Sequence, residues 1–256
     1  STSKKYVADC TYYLSYIRYT QQRYDDALTG FLSLQDNEKY KALVPYYIAE
    51  IYLIKKNYDK AEIVAQNYLS AYPNNEYTAE MYRVLGDADY HFGKYHEAMG
   101  AFEKYLANNK EEAPRRDALY MLGLSYYHSG VYTKAANTLG EVVTGNDALS
   151  QNAYLHMGLS YLQMGDKNKA RMAFEQASAS NANMQIKEQA AYNYALCIHE
   201  TSYSAFGESV TVFEKFLNEF PNSQYVDKVS SYLVEVYMNT RSYEAALKSI
   251  ERITHP

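Results

Sequence analysis

The sequence predicts an all-α solenoid of about seven helix pairs, and three observations predict it. The first is a phrase that recurs seven times: an aromatic residue, Ala three places later, and a large apolar residue four places after that. It reads Tyr24, Ala27, Phe31, then Tyr58, Ala61, Ala65, then Tyr95, Ala98, Phe102, then Tyr132, Ala135, Leu139. Three looser copies follow at Lys167, Ala170, Phe174, at Phe206, Ser209, Phe213, and at Tyr243, Ala246, Ile250. The second observation is the period. Positions 27, 61, 98, 135, 170, 209 and 246 lie 34 to 39 residues apart, which is room for two helices and their turns. The third is punctuation. Phe92-Gly93, Ser129-Gly130 and Met164-Gly165 place a turn signal at the middle of the unit.

Each half-unit carries apolar residues at helical spacing. In the fourth unit the first helix shows Leu119, Leu122, Gly123 and Tyr126, and the second shows Tyr132, Ala135, Leu139 and Val142. The expected pairs are 4–20 with 24–36, 39–55 with 58–71, 76–92 with 95–108, and 114–129 with 132–144. Then come 148–164 with 167–180, 185–201 with 206–219, and 223–239 with 243–254. Gly86, Gly123 and Gly158 recur inside first helices. Glycine there costs about 1 kcal/mol relative to Ala, so its recurrence implies close approach of a partner side chain, with Ala49 and Ser15 in the same role. Pro73 and Pro221 each follow an aromatic residue and end a second helix. The polar run from Ser178 to Asn183 is the seam of the chain, where a bend or loosened stacking is expected.

Composition narrows the function classes. At 256 residues the chain would make one or two ordinary domains, but a stacked array has no single closed core. The net charge is −5, with both signs spread along the chain. Nucleic-acid binding would show a basic stripe instead. No run of 18 apolar residues occurs, so no segment is expected to insert in a membrane. No signal peptide is visible, and the opening Ser1-Thr2-Ser3 lacks Met, as in a processed chain or a fragment of a longer one. Cys10 and Cys197 fall in the first and sixth units, too far apart in an extended stack to bridge. Cys197 reads as a small packing residue. The unusual number is 31 Tyr with no Trp.

The repeat resembles the tetratricopeptide repeat over essentially the whole chain. The third copy carries it through Tyr82, Leu85, Gly86, Tyr95, Ala98 and Phe102, and the fifth through Tyr154, Met157, Gly158, Tyr161, Ala170, Phe174 and Ala177. The sixth departs most, with Asn193, Glu200 and Ser209 at pattern sites. The resemblance implies a right-handed α-α superhelix and one array with copies at 8–41, 42–78, 79–115, 116–150, 151–189, 190–226 and 227–256. The phrases Tyr68 to Asn74, Phe102 to Leu106 and Phe216 to Ser223 look like those of bacterial envelope repeat proteins of the outer-membrane assembly and Tol–Pal type. That likeness implies the periplasm or cell envelope, with cytoplasm the alternative. Seven copies exceed what those proteins carry.

The resemblance also implies a groove lined by first helices, and the surplus tyrosines fall there. The first unit offers Tyr12, Tyr16 and Tyr19, and the second Tyr46 beside Glu50. The third offers Arg83, Asp87, Tyr90 and His91, the fourth Tyr120, Tyr127 and His128, and the sixth Tyr194. The tyrosines of the repeated phrase itself are expected to bury between helices. Tyrosine supplies rigid contact area with a polar tip, so a protein or peptide with apolar anchors is the expected partner, and the groove reads as aromatic more than charged. The alternative for each groove tyrosine is packing between repeats. The Lys and Asn clamp by which some family members grip a C-terminal carboxylate is absent. Glycan binding, or a place as an assembly subunit of a bacterial envelope complex, is the alternative function.

His91 and His128 stand one repeat apart, about 10 Å at ordinary helix spacing, too far to share one zinc. They read as polar surface residues. Lys55-Lys56 and Arg115-Arg116 read as solvated basic spots. No phosphate loop, nucleophile elbow or metal motif is present, and no cofactor is expected. Enzymatic activity is the least favoured reading. Ile250 and Ile253 on the last helix lack a polar cap, so the parent chain is expected to continue or another chain to pack there, self-association among the possibilities.

Overall fold

The computed structural model describes residues 2–202, 207–239 and 242–253. Phe206 of the sixth phrase, the side chain of Tyr243 in the seventh, and Thr254, His255 and Pro256 lie outside the described residues. Fourteen α-helices and no strand occupy the described residues. By contact the chain divides into two units, one ending at Ser129 and one beginning at Gly130.

The N-terminal unit contains α1 (Thr2–Thr20), α2 (Tyr24–Ser33), α3 (Val44–Ile54), α4 (Tyr58–Ala71), α5 (Thr78–His91), α6 (Tyr95–Asn108) and α7 (Arg116–His128). Each helix packs on the next, and α5 also touches α3 and α7. The second unit contains α8 (Tyr132–Gly140), α9 (Ala148–Gln163), α10 (Lys167–Ala179), α11 (Met184–Thr201), α12 (Gly207–Glu219), α13 (Val226–Asn239) and α14 (Tyr243–Ile250). It shows the same sequential packing, with α9 against α11. This is solenoid logic: among the described residues, no helix packs on one more than two places away in sequence.

Most helices fall near where the periodicity places them, and four of the ends that differ do so for local reasons. Helix α3 begins at Val44 rather than 39, because Pro45 takes the first-turn position that its missing N–H allows. Helix α2 ends at Ser33 rather than 36, where the Leu34 and Asn37 amides switch to carbonyls three residues back. Helix α8 stops at Gly140 rather than 144. Beyond it, Ser150 Oγ accepts from the Thr144 amide at 2.8 Å and donates to the Thr144 carbonyl at 2.9 Å, satisfying backbone outside the helix. Helix α14 ends at Ile250 rather than 254, again in bonds three residues back, to Ser249 and Ile250. Helices α9, α10 and α11 start on side-chain caps from Asp147, Asp166 and Asn183.

The repeated Ala marks the tightest layer of each pair. Ala27, Ala61, Ala98, Ala135 and Ala170 are fully buried, as are Phe31, Ala65, Phe102, Leu139, Phe174 and Phe213 four places on. First-helix glycines serve that layer. A Cβ on Gly86 would lie 2.9 Å from the Phe102 ring, and one on Gly158 would lie 2.5 Å from Phe174. The helix cost of glycine is thus offset by ring contact that no side chain leaves room for. The phrase tyrosines do not bury as the pattern implied. Tyr24, Tyr58, Tyr95 and Tyr132 are only half-buried, because they lie at the start of the second helix and reach over the turn.

The polar seam is tied rather than loose. Gln151 on α9 is buried, and its Nε2 lies 3.2, 2.8 and 3.1 Å from the carbonyls of Ala177, Ser180 and Asn183. Its Oε1 accepts from the Asn183 amide at 2.8 Å. One amide side chain therefore does for this turn what apolar packing does elsewhere.

The turn within each of the first five pairs places one residue in the left-handed region. Gly93, Gly130 and Gly165 supply it at φ 74°, 78° and 78°. The corresponding places in the first two units hold Gln22 at φ 61° and Lys56 at φ 59°. A side chain there costs about 1–2 kcal/mol. Lys56→Gly is therefore expected to stabilise the N-terminal unit by about 1 kcal/mol. An unchanged or lowered urea midpoint contradicts that.

Candidate functional site

The face presented by first helices in the N-terminal unit is built from two kinds of residue. On α1, Tyr12, Tyr16 and Tyr19 are spaced to share one helix face. All three meet Tyr47 of α3, with ring centroids 6.3, 5.9 and 5.3 Å away. Tyr47 is itself stacked on Phe31 at 4.9 Å and 8°. Tyr12 also stacks on Tyr40 at 4.7 Å, and the Tyr40 hydroxyl donates to the Asp9 carboxylate. Tyr46 stacks on Tyr77 at 4.7 Å and 21°. Burial pushes the Tyr19 phenol up to about 12 and raises those of Tyr46 and Tyr47 further. These hydroxyls stay neutral donors across the physiological range. Tyr16 stands apart: its side chain is 42 % exposed.

Beside the tyrosines runs a charged row. Arg83 on α5 is 2 % exposed and pairs with Glu50 of α3 and, at 2.8 Å, with Glu80. Asp87, one turn on, lies 2.9 Å from His91 Nδ1. Burial leads in raising the Asp87 carboxyl, with Glu50 and Asp117 adding to it. Burial also acts on Asp117, but the Arg115 guanidinium 2.8 Å away holds it below its ordinary value. Four carboxylates thus face two guanidinium groups. The surface is aromatic and acidic, where sequence alone implied little charge.

The third cluster forms at the far ends of α5 and α7. His91 stacks on Tyr58 at 4.1 Å and 7°, and His128 stacks on Tyr95 at 4.2 Å and 22°. Tyr90 meets His91 and Tyr95 edge-on, and Tyr127 meets His128 edge-on. Burial lowers the His128 imidazole and raises the Tyr90 phenol to about 12, with Tyr120 contributing to the latter. Histidine here is a ring laid over the phrase tyrosine of the preceding pair. Among the described residues no three His, Cys, Asp or Glu side chains group to hold a metal.

Tyr194 lies in the second unit, half-buried on α11. It borders a cavity of about 380 Å³ with Glu175, Lys187 and Phe216. Cys197, also on α11, is 1 % exposed, and burial pushes its thiol up to about 11, so it packs and does not react. Of the expected basic spots, Lys55 pairs with Asp25 and Arg115 with Asp117.

The structure therefore brings Tyr12, Tyr16 and Tyr19 together in one cluster, and Tyr90, His91, Tyr127 and His128 in another. It places Arg83 inside an ion network. The residue sequence reasoning missed is Tyr47, the hub of the first cluster. Its signal was adjacency to Tyr46 in Tyr46-Tyr47, at a framework position where the next repeat holds Val84.

Comparison with known proteins agrees with this architecture. The family model described as anaphase-promoting complex, cyclosome, subunit 3 matches residues 91–177. A TPR repeat-containing protein from Methanocaldococcus jannaschii is 25 % identical over 93 % of the chain, and the chain spans 43 % of that relative's length. The C-terminal part of a TPR repeat-containing protein from Cytophaga hutchinsonii superposes with a TM-score of 0.65 at 16 % identity, covering 94 % of this chain and 93 % of that one. YrrB, described as a TPR protein with an unusual peptide-binding site, gives 0.58 at 16 % identity, covering 71 % of this chain and 90 % of its own. With the repeat pattern, these likenesses support a tetratricopeptide-repeat fold for the chain. None of the described helices is long and apolar enough to cross a membrane.

Proposed function

We propose that the chain is a non-enzymatic interaction scaffold that holds a peptide or protein segment on the tyrosine-rich first-helix surface of its N-terminal unit. The observation that carries this reading is the convergence of Tyr12, Tyr16 and Tyr19 on Tyr47, with Tyr16 left 42 % exposed beside a row of carboxylates. Pre-packed aromatic rings lose little freedom when a partner docks, which is how tyrosine becomes an anchor. The peptide-binding description of YrrB supports the same class of ligand. The favoured segment carries an aromatic or large apolar anchor and, against Glu50, Glu80, Asp87 and Asp117, a Lys or Arg. The phrases from Phe102 and from Phe216 support a setting in the cell envelope. The reading includes self-association through α14, whose Leu247 and Ile250 are 62 % and 47 % exposed.

The test is selection from a displayed library of random peptides. Enriched sequences are expected to pair an apolar anchor with a basic residue. Tyr16→Ala is expected to weaken the best of them by about tenfold or more, with helicity by circular dichroism unchanged. A library that yields nothing, or peptides that bind Tyr16→Ala as tightly as the parent, removes the reading. Enrichment without basic residues removes the role of the carboxylate row.

A further inference from the structure

Resting on the reading of the first-helix surface as a docking site for a segment with a basic residue, we propose that this residue is an arginine, seated between Asp87 of α5 and Asp117 of α7 against the rings of Tyr90 and Tyr120. The repeat supplies the template. In the preceding copy Arg83 bridges two carboxylates: it pairs with Glu50 of α3, and its Nε donates to Glu80 at 2.8 Å. Each of these three residues has a counterpart 37 places on. Glu50 corresponds to Asp87, Glu80 to Asp117, and Arg83 to Tyr120. Helix α5 packs on α7 as it packs on α3. Both acids therefore recur in the next copy, and the arginine that bridges them does not.

The two acids of the later copy are only partly answered. Asp117 takes Arg115, whose Nε and Nη2 donate at 3.1 and 2.8 Å. Asp87 has one charged contact among the described residues: His91 Nδ1 lies 2.9 Å from its Oδ1, and its Oδ2 has no hydrogen bond there. The Asp87 side chain is 17 % exposed, mostly withdrawn from water and still reachable. Burial first, and then the charge of Asp117 among its neighbours, raises the Asp87 carboxyl, so the two acids lie within each other's field. A carboxylate withdrawn from water beside a second one gains most when a cation is brought to it.

The template selects arginine over lysine. Arg83 meets its two acids with different nitrogens of one planar fork, which the point charge of a lysine does not reproduce. Both acids of the later copy are one methylene shorter than those they correspond to, which leaves room for a guanidinium delivered from outside the chain. Tyrosine in the place of Arg83 removes the internal cation and offers a ring face. Tyr90 lies nearby: burial first, and then Tyr120 ahead of Tyr95 and Asp87, raises its phenol. Guanidinium groups stack on such rings. Glu50 and Glu80, by contrast, are answered from within by Arg83.

The probe is N-acetyl-arginine amide, titrated into the ¹⁵N-labelled 256-residue chain and followed by amide chemical shifts. The shifts are expected to centre on Asp87, Tyr90 and Tyr120. N-acetyl-lysine amide is expected to bind more weakly, and the neutral N-acetyl-citrulline amide about tenfold more weakly or worse. Asp87→Asn is expected to weaken the arginine probe by about tenfold, with helicity unchanged. Tyr120→Arg supplies the cation from within, so it is expected to abolish probe binding and to slow amide hydrogen exchange in α5 and α7. Shifts centred on Glu50 and Glu80, a lysine or citrulline probe that binds as well as arginine, or undiminished binding to Asp87→Asn or to Tyr120→Arg overturns the proposal. The titration uses no selected peptide, which keeps the two readings apart. A peptide library that yields nothing removes the tyrosine surface and leaves arginine binding at Asp87 intact. Library peptides that bind while the arginine probe ignores Asp87 overturn the arginine seat alone.

Discussion

Arg83→Met is expected to destabilise the N-terminal unit by about 3–5 kcal/mol, the range seen when one partner of a buried ion pair is removed. The Arg83 side chain is 3 % exposed and its partners Glu50 and Glu80 are 12 % and 24 % exposed. Burial by itself disfavours the guanidinium charge, and the two carboxylates reverse that and hold the proton more firmly than usual. Removing the cation leaves two carboxylates facing each other with Asp87 close behind. Methionine keeps most of the aliphatic volume, so the loss reports charge rather than a cavity. Because the chain divides into two units, a global midpoint can conceal the effect. Amide hydrogen exchange of α3 and α5 localises it. Glu50→Gln with Glu80→Gln in the Arg83→Met background is expected to recover most of the loss. A change within about 0.5 kcal/mol, the range of an ordinary surface substitution, would show that the network contributes nothing.

The Arg83 network also shows where sequence reasoning stops. The helix pairs were legible because one constraint repeats: Ala at the closest approach, a large ring four places on, glycine under that ring at Gly86 and Gly158. Any departure in one copy is corrected by the others. Helix ends were less legible, since they rest on local residues such as Pro45 and Ser150 that the repeated phrase does not contain. The candidate surface was legible in part. Helical phase put Tyr12, Tyr16 and Tyr19 on one face, and they do meet. Phase could not reveal that Tyr47 joins them, because a cross-helix hub depends on how α1 and α3 approach. Nor could it reveal Arg83 with Glu50, 33 residues apart and meaningful only once α3 and α5 lie side by side. Arg83 looked like a free groove cation; its charge is already paired within the chain.

The second large effect is a pH dependence centred on Asp89. This aspartate is 5 % exposed on α5, and burial first, then the hydrogen bond and charge of Glu62, push its carboxyl up to about 7. Glu62 of α4 moves the opposite way. Its hydrogen bond with Asp89 leads in holding it below its ordinary value, and Lys94 at 3.1 Å adds to this. Glu97 at the start of α6 adds a small raising push on Asp89, which Lys94 counters. The two acids therefore share one proton, with Asp89 the donor and Glu62 the acceptor. For Asp89 the folded state binds its proton more tightly than the unfolded state. The resulting stabilisation is fully present below about pH 4 and is lost as pH rises through about 7. Glu62 supplies the reverse: stabilisation present above its unfolded value near 4.5 and lost as pH falls. Stability of the α4–α5 region should thus peak near pH 5 and fall towards pH 8 by an amount on the order of a few kcal/mol. Asp89→Asn replaces the protonated acid with a permanent neutral donor. It is expected to flatten the decline between pH 5 and 8 and to exceed the parent at pH 8. Glu62→Gln is expected to lower the midpoint of the decline, because the leading charged partner of Asp89 is gone. Hydrogen exchange in α4 and α5 across that range is the measurement. The same decline in Asp89→Asn as in the parent would assign it to other groups.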